Sequence, residues 1–345
     1  VYTFSQNDTA SILDQHNTGI TLTWYLQDKI TLFDEKLSIT PGLRYSWFSP
    51  TAKVYAEPRL NASYNLSRRI KLKAAAGHYN QFAKRVIRED IFSGSRDFWV
   101  LADNDRLPVS SSEQYVGGAS WENDDWLVDV EAYYKPLHNL SEYSLRVNPR
   151  PTAPGSSGSI DYEENFFDGE GVARGVDVLL QKKFGRWNGW IGYTLGDVRH
   201  HFSAYSENDF YAAHDVTHEF KLINLYKWRN WDFSATWIYA SGKPYTAPEG
   251  AYTITLLDGT TSDFLNVSEK NANRLPAYHR LDLAATVHFN FLGSAPASLN
   301  FSIFNLYGRK NVWYKQFEVV DNQLIESDVN YLGFTPNLTF SVKLR

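Results

Sequence analysis

From Arg280 to Phe291 apolar and polar side chains alternate, with Leu281, Leu283, Val287, Phe289 and Phe291 on one phase and Arg280, Asp282, Thr286, His288 and Asn290 on the other. An extended chain points successive side chains to opposite sides of its sheet, so this period of two predicts a strand with one oily face and one wet face. The same pattern returns in Ile20, Leu22, Trp24 and Leu26, in Leu37, Ile39, Leu43 and Tyr45, and in Leu338, Phe340, Val342 and Leu344.

Read along the chain, the alternation predicts strands over 18–32, 37–47, 54–66, 70–82, 113–122, 126–137, 171–184, 189–202, 216–228, 231–245, 278–291, 297–309 and 333–345. Residues 1–13 supply a further one, for a total of about fourteen, an even number as single-chain membrane barrels require. Short connections are expected near Asp34, Ser67, Asn123, Gly185, Arg229 and Gly293, and long ones near 48–54, 83–112, 141–169, 203–214, 246–274 and 310–331. Strict alternation of short and long connections is the loop signature of an antiparallel transmembrane β-barrel, with tight periplasmic turns and long external loops. The fold class is therefore all-β, with residues 1–345 as one barrel domain.

Composition agrees. No apolar run approaches the roughly 18 residues of a spanning helix, which excludes a helical membrane protein but leaves a barrel open. Aromatic residues make up 16%, and among the 11 tryptophans Trp121, Trp126, Trp187, Trp190, Trp228 and Trp231 lie beside predicted short turns. An aromatic girdle at the periplasmic interface would place them there. Cysteine is absent, so no disulfide or thiolate metal site is expected, and a net charge of -5 leaves no basic footprint for nucleic acid. The polar phase carries Arg44, Glu57, Arg59, Asp129, Glu131, Asp177, Glu219, Lys221, Arg280 and Asp282, which in a wide barrel would line the lumen and pair across strands.

Several phrases resemble successive strands of TonB-dependent outer-membrane receptors: Tyr25–Leu32, Leu37–Tyr45 and Glu57–Tyr64 early, then Leu275–Leu283 and Phe301–Asn311 late. Their flavour is similar to receptors of the Bacteroidetes type. The resemblance implies the C-terminal part of a barrel of 22 strands in the Gram-negative outer membrane. Such a barrel is closed by a plug domain and takes up a scarce nutrient with energy delivered through TonB. It implies as partners the outer-membrane lipid, the TonB complex acting through a plug, the barrel assembly machinery and a surface lipoprotein. No plug-like segment precedes residue 18, and the chain ends on Arg345 where the family usually ends on an aromatic residue. These residues alone are therefore expected not to transport actively.

Little in the sequence suggests catalysis, and no cofactor is expected. His200 and His201 with Asp197, and His214 and Asp215 with His218, could be drawn as rim clusters, with His214 and His218 sharing one face of a strand. Spacing alone makes no site, and no phosphate loop, nucleophile elbow or zinc-protease helix occurs. A plugless passive pore and a rim hydrolase remain the alternatives to a receptor. Specificity should reside in the long loops. There Arg88, Arg96, Asp97, Phe98, Trp99 and Arg106, and then Tyr252, Asp258, Asp263 and Phe264, combine charge with aromatic surface. Arg96, Phe98, Trp99, Arg106 and Tyr252 are the candidate substrate-binding residues.

Overall fold

The computed structural model describes residues 18–88, 96–148, 161–204, 206–255, 259, 261–293, 295–320 and 323–343. The strand expected at 1–13 lies outside them. Wall strands β1 to β6 are Thr21–Gln27 (continued by Ile30–Leu32), Leu37–Phe48, Lys53–Asn65, Ile70–Gln81, Ser110–Glu122 and Trp126–Asn148. Strands β7 to β13 are Asp161–Lys182, Trp187–His201, His218–Trp228, Trp231–Ala240, Tyr278–Phe291, Ala295–Phe304 and Thr335–Val342. Each pairs antiparallel with its sequence neighbour in one continuous sheet, so every predicted strand from 18 to 345 has its counterpart. Among the described residues β1 and β13 are the two edges of this sheet.

The register sorts the side chains. Val128 faces Leu180 across β6–β7, Leu180 faces Ile191, Ile191 faces Leu222, Leu222 faces Trp237, and Trp237 faces Leu281. One apolar row thus crosses six strands without a break, because the pairing register at each junction sets outward positions opposite outward positions. Leu283 then faces Ile303, Val287 faces Leu299 and Phe289 faces Ala297, while Arg280, Asp282 and His288 fall on the opposite phase. Left-handed backbone closes several turns: Leu292 and Gly293 both have positive φ, as do Arg229 and Gly185. Glycine suits that region at Gly185 and Gly293 because it has no Cβ to clash.

Of the six turn tryptophans, Trp121, Trp126, Trp187, Trp228 and Trp231 lie on the apolar face, and Trp126 meets Trp187 with ring centroids 6.4 Å apart. Trp190 does not belong to this girdle. It pairs with Gln181 and Ile223 on the polar phase, one residue out of step with Ile191.

Three boundaries differ from the sequence reading. The loop expected over 141–169 is mostly a ladder, since β6 and β7 stay paired as far as Asn148 and Asp161, with a bulge between Gly169 and Gly171. At this height the hairpin needs no lipid-facing phase, so its residues show no alternation to read. The strand expected over 297–309 stops at Phe304, where Asn305 takes φ 54° and is fully buried. The Asn305 amide Nδ2 donates to the Arg309 and Leu332 carbonyls. The strand expected over 231–245 ends at Ala240. The long connections also hold hairpins of their own, 83–88 with 96–101, 248–255 with 261–267, and 312–320 with 323–330.

Because the wall is one sheet thick, the hydrophobic clusters found among the described residues gather at the long-loop end. Val86, Val100, Leu107 and Tyr143 form one cluster with Phe98 and Phe166 against it, and Phe48, Ala102 and Val109 form a second.

Candidate functional site

The polar face is built as a series of paired charges. Glu57, 2% exposed, receives Arg59 Nη2 at 2.9 Å, has Arg44 Nε at 3.7 Å, and accepts the Asn80 amide at 3.0 Å. Lys73 on β4 reaches across Gly118 on β5 to Asp129 (2.7 Å) and Glu131 on β6. A Cβ on Gly118 would stand 2.6 Å from the Val130 carbonyl and 2.8 Å from Glu131 Cγ, so glycine is what lets the lysine cross. Thr194 donates to Asp177 at 2.6 Å, Lys221 to Glu219 at 2.6 Å, and Arg280 Nε to Asp282 at 2.9 Å. The charged residues read from the alternation therefore share one face, where Glu57, Glu219 and Asp282 meet cations of that set, Lys73 meets Asp129 and Glu131, and Asp177 is held by the Thr194 hydroxyl. Asp129, Glu131, Asp177, Glu219, Lys221 and Trp190 line a cavity of about 300 Å³ on it, with carboxylates in excess.

At the long-loop end the candidate residues take different places. Phe98 packs edge-on against Tyr143 (5.3 Å between centroids) and anchors its hairpin to β6. Trp99, opposite Arg85 on the same hairpin, is 69% exposed. Arg106 is exposed in the turn after the hairpin. There Asp103 Oδ1 accepts the amides of Asp105, Arg106 and Leu107 at 2.9–3.0 Å. Burial raises the Asp103 pKa, but those amides and the Arg106 charge outweigh it and hold the carboxyl below its usual range. Arg96 pairs with Arg88 across the hairpin, and Tyr252 pairs with Phe264 in the second one. The side chains of Arg96, Asp97, Tyr252, Asp263 and Phe264, and all of Asp258, lie outside the described residues. The structure thus separates an anchor, Phe98, from a displayed ring, Trp99.

Sequence reasoning missed what holds this hairpin down. Lys84 is buried and donates Nζ to the Asn139 carbonyl at 2.9 Å and to Ser141 Oγ at 2.8 Å. Burial pushes its pKa down to about 8 against the pull of Asp168 and Asp103. A second lysine, Lys270, ties the 241–277 connection to Glu142 on β6. Nothing in the spacing marks a lysine that will be buried.

The histidine clusters do not assemble. His214 sits against His200, ring centroids 5.9 Å apart, and burial lowers its pKa. His218 lies on the apolar face instead, with Tyr193 OH 2.9 Å from its Nδ1, so the two histidines do not share a face. Asp215 is fully buried and occupied: it accepts the Val198 amide at 2.8 Å and Arg274 Nη2 at 2.6 Å. No group of metal-holding side chains occurs among the described residues.

The family model described as "TonB dependent receptor-like, beta-barrel" matches residues 2–306. No curated protein matches the sequence at a significant level. Among solved structures, the chain is similar to the pyoverdine outer membrane receptor of Pseudomonas aeruginosa, with 14% identity, TM-score 0.56, and 93% of this chain on 41% of that one. It is also similar to a siderophore receptor of Acinetobacter baumannii at 11% identity and TM-score 0.55, covering 85% of this chain and 42% of that one. A ferric enterobactin receptor of Pseudomonas aeruginosa follows at 14% identity and TM-score 0.54, with 85% and 40% covered. These likenesses show the fold, and the chain spans about two-fifths of the length of each of these receptors.

Proposed function

The chain belongs to the TonB-dependent receptor β-barrel family, and from that membership we propose that it supplies barrel wall to a nutrient receptor of a Gram-negative outer membrane. The observation that carries the reading is the division of the sheet into two faces. The unbroken apolar row from Val128 to Leu281 suits hydrocarbon, and the paired ladder from Glu57 to Asp282 suits a water-filled or plugged lumen. The acidic excess around Asp177 and Glu219 favours a basic surface docking in the lumen, as a plug would present. TonB is then a partner through that plug, with the barrel assembly machinery and a surface lipoprotein as further partners. The strand phrases Tyr25–Leu32, Leu37–Tyr45 and Glu57–Tyr64 favour a receptor of the Bacteroidetes type. The reading is non-enzymatic, because Asp215 and His214 are held by packing and pairing rather than displayed.

A ferric siderophore is the cargo class that the solved neighbours favour. Trp99 and Arg106 are proposed to meet it first, with Arg96 on the same hairpin as Trp99, Tyr252 on the 248–267 hairpin, and Phe98 bracing Trp99. Radio-iron uptake tests this in cells carrying the whole receptor gene, with ferric enterobactin and ferripyoverdine as probes. Uptake that vanishes on deleting the gene and on deleting TonB supports the reading; receptor-dependent uptake that persists without TonB overturns it.

A further inference from the structure

The outward face changes character at one height. Along β8 its side chains run Trp187, Ile191, Tyr193 and Leu195, then Asp197, Arg199 and His201, and β7 runs Leu180, Val178 and Val176, then Arg174. At 3.4 Å per residue Asp197 lies about 34 Å along the strand from Trp187, or about 26 Å along the membrane normal at a tilt near 40°. That is the height of the apolar band of an outer-membrane barrel, about 25 Å. With the Trp187 girdle at the periplasmic interface, Arg174, Asp197 and Arg199 therefore stand at the headgroup level of the outer leaflet.

Here two guanidiniums are held side by side. Arg174 Nε and Nη2 lie 3.1 Å from Asp197 Oδ2, and Arg199 Nε lies 3.0 Å from Oδ1. The Arg199 guanidinium also stacks 3.6 Å over the Tyr211 ring, which carries Arg274 at 4.3 Å, so it is braced from beneath. Asp197 uses only part of the donors that two guanidiniums offer. The Arg174 side chain is 65% exposed and that of Arg199 36%. The trio carries one positive charge in excess. The carboxylate of Glu170, in register with His201 one row higher, lies 3.9 Å from His138 Nδ1 rather than on the arginine pair.

We propose that Arg174 and Arg199 bind a phosphate on the headgroup of an outer-leaflet lipid. Planar guanidiniums match phosphate oxygens two at a time, and the shared carboxylate and the Tyr211 face fix them before the ligand arrives. Two features select a lipid over a dissolved phosphate or the receptor's cargo. The pair faces away from the lumen, and it continues directly from Leu195 and Val176, where acyl chains would lie. The inference rests on the assignment of the outward face and not on the nature of the cargo.

The test uses the whole receptor in detergent, followed by native mass spectrometry with bisphosphorylated lipid A, the same lipid stripped of phosphate, and inorganic phosphate. The bisphosphorylated lipid should be retained at least about tenfold better than the stripped one, the worth of a charge-assisted contact. Replacing both arginines (R174Q with R199Q) should bring retention to the stripped level, while Arg68→Gln at a periplasmic turn should leave it unchanged. Heat-modifiable migration of the folded barrel checks that the double variant is intact. Equal retention of the two lipids, unchanged retention by the double variant, or complete displacement of the lipid by inorganic phosphate at matched concentration would each overturn the proposal.

Discussion

At the scale of single residues, the wall depends on what is small and on what is buried. Gly118 lets Lys73 cross one strand to reach Asp129 and Glu131. Gly118→Val should therefore cost about 1–3 kcal/mol, the usual penalty of overpacking, read as a lower midpoint of urea unfolding in lipid vesicles. Lys84 makes the opposite case. Its pKa is about 8 when folded and 10.5 as the ordinary value. Below about pH 8 both states hold the proton and the burial penalty is fully present. Between about 8 and 10.5 the undocked state binds more protons, so docking of the hairpin strengthens as pH rises. Hydrogen exchange of the 83–101 amides, corrected for intrinsic rates, should show that slope, and Lys84→Met should remove it. The sequence showed that position 118 has no side chain and that position 84 has a lysine. It could not show that each meets a partner more than ten residues away, because period two reports the face a residue takes and not its neighbours.

At the scale of elements, the wall strands were legible and the rim was not. Alternation marks a strand only where its two faces meet different surroundings, as on β11, where Leu283 faces outward and Asp282 pairs with Arg280 inside. Nitroxide labels at successive positions from 281 to 289 should therefore alternate between oxygen and aqueous quencher access. Above the band both faces are wet. The extension of β6 to Asn148 and the hairpin at 83–101 accordingly carry no such pattern, and a stretch read as a loop is in fact paired. The candidate site inherits this gap, since Phe98 and Trp99 look alike in sequence but one anchors and the other is displayed. Phe98→Ala should loosen the hairpin by about 2 kcal/mol, seen as lost exchange protection. Trp99→Ala should leave protection intact and lower cargo affinity, measured by equilibrium binding of the ferric siderophore to the whole receptor.

For the molecule as a whole, the same sheet must satisfy two solvents, and the register decides which residue meets which. Leu222 and Ile223 are adjacent, both apolar, and indistinguishable by hydropathy. Leu222 lies in the outward row between Ile191 and Trp237, whereas Ile223 pairs with Trp190 and Thr236 on the luminal phase. Trp190 is instructive here. Its place beside a short turn suggested the girdle, but its phase puts it in the lumen beside Asp177 and Thr194. Both positions lie near mid-height between the Trp228 turn and the rim, where an arginine facing hydrocarbon costs about 2–4 kcal/mol and one facing the lumen costs little. Leu222→Arg should therefore destabilise the barrel by about that amount in urea titrations of the receptor in phospholipid vesicles, and Ile223→Arg should lie within about 1 kcal/mol of the parent. Equal costs at the two positions would mean that the two faces do not meet different solvents. A larger cost at Ile223 would mean that the wall is turned inside out, with the charged ladder from Glu57 to Asp282 facing the lipid.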